Sequence, residues 1–265
     1  MRDTPRSASS PVGEMTESEE IRELRDELLK ARQSTDEAVK EFDLLCYSIS
    51  HDLRTPLRAI DGFSAILEED YMDRLDDQGK HYLRVVREGA RKIERRIEAV
   101  LAVSRMGRHQ MNSVGIDMNS LASSVLDELK GAAAGRAISS RIERLPPAFG
   151  DRDMVRQVLV ELLDNAIKFT RPRGTASIVL KGERAEEENI YSVNDNGVGF
   201  DMEYAGNLFG LFQKLHSSDT FEGEGAGLAK VRRIIDRHGG RVWAEGKVDI
   251  GATFYFTLPA ADDRK

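Results

Sequence analysis

The chain has 265 residues, 40% hydrophobic and 32% charged, with a net charge of −7 at neutral pH. That length holds one or two domains with their own cores, and the acidic balance argues against nucleic acid as a partner, because phosphate backbones are held by basic surfaces. The lone cysteine, Cys46, excludes an internal disulfide and fits a reducing compartment. No apolar run approaches the roughly 20 residues that cross a bilayer, so direct membrane insertion is not expected. The polar first residues lack the apolar core of a secretory leader, and the chain reads as cytoplasmic.

Residues 1–17, rich in Ser, Pro, Thr and charge, are expected to be a disordered tail. A long helix follows. Ile21, Leu24, Leu28, Ala31, Thr35, Ala38, Phe42, Leu45 and Ile49 recur in steps of three and four, a heptad seam over a coiled-coil segment at 18–50. One helix cannot bury such a seam, so a homodimer is the economical expectation. The register puts His51 two positions past Ile49, on the exposed face. Pro56 removes the helical hydrogen bond to the Asp52 carbonyl and tends to kink the helix, at about 3 kcal/mol. The helix continues through Leu67 with Ile60, Phe63, Ile66 and Leu67 as core positions, then turns between Asp70 and Gly79. A second helix over Gln78–Ser104 carries Tyr82, Val86, Gly89, Ile93, Ile97, Val100 and Leu101 on one face. This is an antiparallel hairpin, and two of them make a four-helix bundle over residues 40–108. Gly107–Gly115 reads as a linker.

From Ile116 the pattern mixes helix and strand in a second domain over 116–262. Helices are expected at Met118–Gly131, begun by Asn119 or Ser120, at Asp151–Thr170, and at Leu228–His238, closed by Gly239 and Gly240. Strands are expected at Ala137–Ile142, around Phe149, and at Ser177–Gly182, Asn189–Asn194, Gly240–Glu245 and Thr253–Leu258. The Glu186–Glu188 run reads as a solvated hairpin turn. The fold class is α+β: a dimeric helical-hairpin domain followed by an α/β sandwich.

Five segments carry chemistry, in order: Ser50-His-Asp-Leu-Arg-Thr-Pro56, Glu161-Leu-Leu-Asp-Asn-Ala-Ile-Lys-Phe169, Asp195-Asn-Gly-Val-Gly-Phe200, Gly223-Glu-Gly-Ala-Gly-Leu228 and Gly251-Ala-Thr-Phe254. Imidazole titrates near ~6.5, so His51 keeps a free ring nitrogen as nucleophile at neutral pH. Its neighbour Asp52 is placed to hold the other ring N–H. The histidines His81, His109, His216 and His238 lack such neighbours and read as structural or merely exposed. Glu161 and Asn165 lie one helical turn apart, with Lys168 and Phe169 nearby. Glycines ahead of the helix near Leu228 suit phosphate, which favours helix N-termini and bare amides.

Together these segments resemble the sensor histidine kinases of two-component systems, over roughly Ile21–Pro259, and most closely the phytochrome-associated subset. The second domain is similar to the ATP-binding fold shared by gyrase, Hsp90, histidine kinases and MutL. The resemblance implies ATP and Mg²⁺ as cofactors and a response regulator receiver domain as partner. It implies that His51 accepts phosphate, that Asp52 is the general base, and that Thr55 positions water for dephosphorylating the regulator. Asn165 and Glu161 are the implied metal ligands. Lys168 would meet a phosphate and Phe169 the adenine; Asp195 would accept the adenine amino proton, with Gly197, Gly199 and Phe200 shaping that end. Phe200–Ala226 would form a lid, with Phe209 and Phe212 closing over the pocket and Lys214 reaching the outer phosphates. Gly223, Gly225, Gly227 and Leu228 would cradle phosphate, and Thr253 would line the floor.

Two departures stand out. Glu161 occupies a position where these kinases usually carry Asn and their hydrolysing relatives carry the general base, so some futile ATP hydrolysis is expected. Glu224 and Ala226 replace the usual Thr or Ser and aliphatic residues of the second glycine box, and a carboxylate aimed at triphosphate would repel it. A relay or phosphatase scaffold with degenerate nucleotide use and a plain ATPase therefore stay open beside the kinase. The heptad seam begins directly after the tail, so a signal is expected from a longer receptor or from a separate sensor protein touching residues 18–50.

Overall fold

Helix α1 (Glu17–Tyr71) runs for 55 residues and passes through Pro56 without a break. The computed structural model describes residues 17–108, 110–133, 135–185, 188–215 and 221–260. The expected tail before Glu17, His109, His216 and the Glu186–Glu187 part of the acidic turn lie outside those residues. The chain divides into two units, one ending at Leu44 and one beginning at Leu45. In the first, the seam residues Ile21, Leu24, Leu28 and Phe42 are 60, 58, 70 and 63% exposed. Among the described residues of that unit, nothing covers them.

In the second unit, α1 turns at a short 3₁₀ segment (Met72–Arg74) into α2 (Asp77–Arg108). Asp61 accepts hydrogen bonds from Arg87 Nε and Arg91 Nε, each 3.2 Å away, and Arg87 also pairs with Glu68. These contacts set the antiparallel register. Asp61 faces the middle of the Arg87–Arg91 turn, so ten residues back along α1, His51 stands near the level of Ala99. The hairpin core is small: Leu57, Ala90, Ile97 and Leu101. The expected core positions Ile60, Phe63, Ile66 and Leu67 are instead 44, 69, 50 and 44% exposed, as are Tyr82, Val86 and Ile93 at 60, 50 and 48%. Two helices bury only the strip between them, so the rest of each apolar face stays open within a single chain.

The remainder builds a sheet and its cover. A two-stranded ribbon pairs β1 (Ser113–Ile116) with β3 (Ala148–Asp151), and a five-stranded sheet has the order β2-β4-β5-β7-β6. Its strands are β2 (Ile138–Ile142), β4 (Ala176–Arg184), β5 (Glu188–Asp195), β6 (Val242–Lys247) and β7 (Gly251–Pro259). Only β2 and β4 run parallel. Strand β1 lies partly inside the expected linker, where a four-residue strand leaves too short a pattern to read. Helices α3 (Met118–Ala132), α4 (Arg152–Phe169) and α5 (Gly227–Arg237) share one core with the sheet. Alternation along the strands sends Ile178, Leu180, Tyr191, Val193, Phe254, Phe256 and Leu258 into it. Trp243 and Tyr255 stack on each other with ring centroids 4.9 Å apart.

Helix starts follow from acids. Asp117 accepts from the Ser120 N–H and caps α3, which corrects the expected Asn119 or Ser120 cap. Asn119 instead bridges to the Leu145 backbone in both directions. Asp151 caps α4 through the amides of Asp153 and Met154. His238 locks that corner: its Nε2 accepts from the Asp151 N–H at 3.0 Å while Nδ1 donates to the Ile234 carbonyl at 2.8 Å. Burial holds this imidazole below its ordinary pKa. Helix α5 begins after Ala226 with no side-chain cap, which leaves its first amides available.

Candidate active site

A cavity of about 650 Å³ opens among α4, α5, the ends of β5 and β7, and α2 of the hairpin. Helix α4 presents Glu161, Asn165, Lys168 and Phe169 to it, since positions three and four apart share a face. Lys168 Nζ donates to Asn165 Oδ1 at 2.9 Å and lies 4.5 Å from the Phe169 ring centroid. Burial lowers the pKa of Lys168; Asp164 opposes that shift, and nearby Lys214 and Arg171 add to it. Phe169 packs against Phe221 at 4.9 Å.

At the other end, Asp195 is buried, and its Oδ1 accepts from the Gly197 N–H at 2.8 Å. Burial pushes its pKa up to about 6, against the pull of backbone donors at Gly197 and Ala252. The carboxylate is thus held as a buried acceptor in a dry wall. Gly199 has φ +61, and a Cβ there would stand 2.0 Å from the Lys247 carbonyl oxygen, so no other residue fits. Arg173 ties this loop down by donating to the carbonyls of Asn196, Gly197 and Asp249.

The second glycine box completes the rim. Gly223, Gly225, Gly227 and Leu228 all border the cavity, as do Gly199, Phe200 and Lys214. At Gly227 a Cβ would approach Glu161 Oε2 to 2.6 Å, so the glycine lets α5 close on α4. Glu224 also borders the cavity, but its carboxylate is paired: it takes Arg95 Nε at 2.7 Å and faces Arg96 at 4.0 Å. Arg96 also stacks over Phe212, whose φ is +63. The repulsion expected from Glu224 is thereby absorbed by the hairpin.

Several expectations are corrected. Thr253 does not border the cavity, because its neighbours Ala252 and Phe254 do and strand alternation sends Thr253 to the other side. There its hydroxyl accepts from Asn194. Gly197 also lies off the cavity wall and acts by holding the Asp195 carboxylate. Phe221, rather than Phe209 or Phe212, lines the pocket. Glu161 is not a free base, since its Oε1 accepts from Lys230 Nζ at 2.8 Å and from Gln157 at 2.7 Å. Sequence reasoning missed Lys230 and the hairpin wall of Arg95, Glu98, Ala99 and Ala102. A lysine in the first turn after a glycine box was the available signal for the first; the second had none, being a contact between distant segments.

One amide oxygen and one carboxylate, a turn apart on a rigid helix beside a cationic rim, make a hard-oxygen set of the kind Mg²⁺ shares with phosphates. Asn165 and Glu161 therefore fit such an ion by chemistry, each oxygen now carrying a lysine as its cationic partner.

His51 and Asp52 stand on α1, their side chains 71 and 77% exposed, with Nδ1 3.3 Å from Asp52 Oδ1. Thr55 is exposed one turn on. None of the three borders the cavity, yet Ala99, at the level of His51, does.

Residues 150–262 match the family model described as Histidine kinase-, DNA gyrase B-, and HSP90-like ATPase. Residues 43–109 match the His Kinase A (phospho-acceptor) domain. The chain is 32% identical over 234 residues to cyanobacterial phytochrome A of Nostoc sp., covering 88% of this chain and 30% of that protein. It is 36% identical over 220 residues to the methanogenesis regulatory histidine kinase FilI of Methanothrix harundinacea, covering 83% of this chain and 25% of that protein. Full-length ShkA in complex with AMPPNP superposes with a TM-score of 0.57 at 25% identity, over 82% of this chain and 46% of that one. The chain thus spans less than a third of the length of these two curated relatives.

Proposed function

We infer, for a chain that belongs to the histidine kinases through both of its domains, that it moves the γ-phosphoryl group of ATP onto His51 and then onto an aspartate of a response regulator. The observation that carries this reading is one cavity that joins a buried adenine-type acceptor, Asp195, to a phosphate-type rim of Asn165, Lys168 and glycine-box amides, in a chain whose hairpin carries an exposed histidine with its Nδ1 facing a carboxylate.

The roles follow from the groups. Asp195 would take the amino proton of adenine, which selects ATP over GTP, and Gly197 and Gly199 hold the loop that aims it. Lys168 and Lys214 are the cations at the rim for phosphate oxygens, and the uncapped start of α5 adds backbone donors. Asn165 and Glu161 would hold Mg²⁺, whose contribution is to neutralise phosphate charge. With Nδ1–H directed to Asp52, Nε2 of His51 keeps the lone pair that attacks the γ-phosphorus. The bond from that phosphorus to the ADP oxygen breaks, and Asp52 takes the proton that the ring sheds. The same exposed face of α1 would present phospho-His51 to the receiver aspartate. Thr55 is assigned to positioning water in the reverse, dephosphorylating reaction.

We assign residues 18–50 to a signalling coiled coil, 40–108 to dimerisation and phosphotransfer, and 116–262 to nucleotide binding. The open apolar faces of the seam and hairpin support a homodimer, and the seam is the place for a signal from a separate sensor protein. Incubating the chain with γ-labelled ATP and Mg²⁺ tests the reading. Acid-labile, alkali-stable label on wild type, absent from His51→Ala and Asn165→Ala, is expected. Label that survives in His51→Ala would refute it.

A further inference from the structure

The sequence sets two unusual carboxylates beside the phosphate rim, and the structure gives each a cation. Glu224 meets Arg95, a residue more than half exposed, whereas Glu161 meets Lys230 inside the wall: their side chains are 16 and 23% exposed. Glu161 Oε1 accepts both Lys230 Nζ, at 2.8 Å, and Gln157 Nε2, at 2.7 Å. Its Oε2 is lodged against Gly227 at the uncapped start of α5. Lys230 stands one turn into that helix, whose inward positions Ala229, Val231, Ile234 and Ile235 are otherwise apolar and buried. A lysine that could reach solvent from this helix instead folds back onto a half-dry carboxylate.

We propose that Lys230 is a positioning residue for the nucleotide: by pinning and neutralising Glu161, it lets a triphosphate enter a site that would otherwise present a buried negative charge. The inference rests on the nucleotide reading above and deepens it. An unpaired anion in a partly buried wall is costly by itself and repels a second anion strongly, because little water screens it. Lys230 is therefore needed because of Glu161 and not for a phosphate contact of its own. Lys168 and Lys214, whose amines bond no carboxylate among the described residues, serve that contact.

The test is displacement of a fluorescent nucleotide from the full chain in EDTA, so that no metal enters the comparison. ATP and adenosine are titrated against wild type, Lys230→Met, Lys230→Arg, Glu161→Asn and the double variant. Lys230→Met is expected to weaken ATP by about tenfold or more while adenosine shifts less than about twofold. On the Glu161→Asn background the same substitution is expected to change ATP affinity by less than about threefold, and Lys230→Arg to stay within about threefold of wild type. Equal losses on both backgrounds would make Lys230 a direct phosphate ligand and overturn the inference. Parallel losses of ATP and adenosine would make it merely structural and overturn it as well. A wild type that binds neither ligand would sink the nucleotide reading itself, a result that no Lys230 variant can mimic.

Discussion

The hairpin and the sheet domain handle their apolar and chemical groups in opposite ways. The hairpin from Leu45 to Arg108 buries four core residues and leaves Phe63, Tyr82 and Ile49 more than half exposed, with His51 in solvent. The sheet domain encloses its core, down to 0–1% exposure at Val155, Leu159 and Phe256, and holds the polar groups of its cavity in the wall too: Asp195, Asn165 and the Glu161–Lys230 pair. One half leaves much of its apolar face open and its His51 accessible. The other is complete alone and keeps its charges dry, where they act strongly.

That contrast breaks most visibly under core substitutions. Leu159→Ala should cost about 2–5 kcal/mol, a large share of a domain's total, and lower the unfolding midpoint of the sheet domain at every protein concentration. Phe63→Glu should leave that midpoint in place and shift sedimentation from dimer to monomer. A concentration-independent midpoint loss in Phe63→Glu would contradict the contrast.

The pH response sharpens it, because two buried groups in the sheet domain pull in opposite directions. His238 has its pKa lowered by burial, so it binds protons less readily folded than unfolded. Its contribution is full above its ordinary 6.5 and drains away as pH falls below that. Asp195, pushed up to about 6 by burial, binds protons more readily folded than unfolded. It favours the fold in acid and costs stability as pH rises through about 6. Thermal melts followed through the lone tryptophan, Trp243, should show Asp195→Asn gaining stability at pH 7.5 but not at pH 4. His238→Gln should lose less between pH 7 and pH 5.5 than wild type loses. Identical slopes in all three proteins would contradict both assignments.

The smallest effect is expected at the contact between the halves. Glu224 and Arg95 are partly exposed, and such pairs are worth about 0–1 kcal/mol. Glu224→Gln should change ATP affinity less than about threefold, because the carboxylate is already paired with Arg95. A rise of tenfold or more would mean that Arg95 does not neutralise Glu224 at the cavity.

The sheet domain was the more legible half in sequence, because its signals are local. Alternation gave β4, β5 and β7 within a residue or two, and the glycine spacings gave the rim. What escaped was set by tertiary contact. Asp117 caps α3 from two or three residues earlier than expected, β1 pairs with a strand more than thirty residues away, and Thr253 is turned from the pocket by the register of β7. Lys230 escaped because periodicity marks a polar position on a helix without saying which carboxylate it meets. In the hairpin the apolar positions of both helices were plain, but period alone does not divide an apolar face between its own second helix and another chain.

The division of labour between the halves is tested most directly by counting phosphoryl label per bound nucleotide in His51→Ala and Asp195→Asn beside wild type. The account predicts that His51→Ala binds ATP as wild type does and takes no label. It predicts that Asp195→Asn loses affinity by about 10–100-fold, as for a hydrogen bond to a charged group, yet labels His51 normally once nucleotide saturates it. An Asp195→Asn protein that binds ATP at full strength, or a labelled His51→Ala, would contradict it.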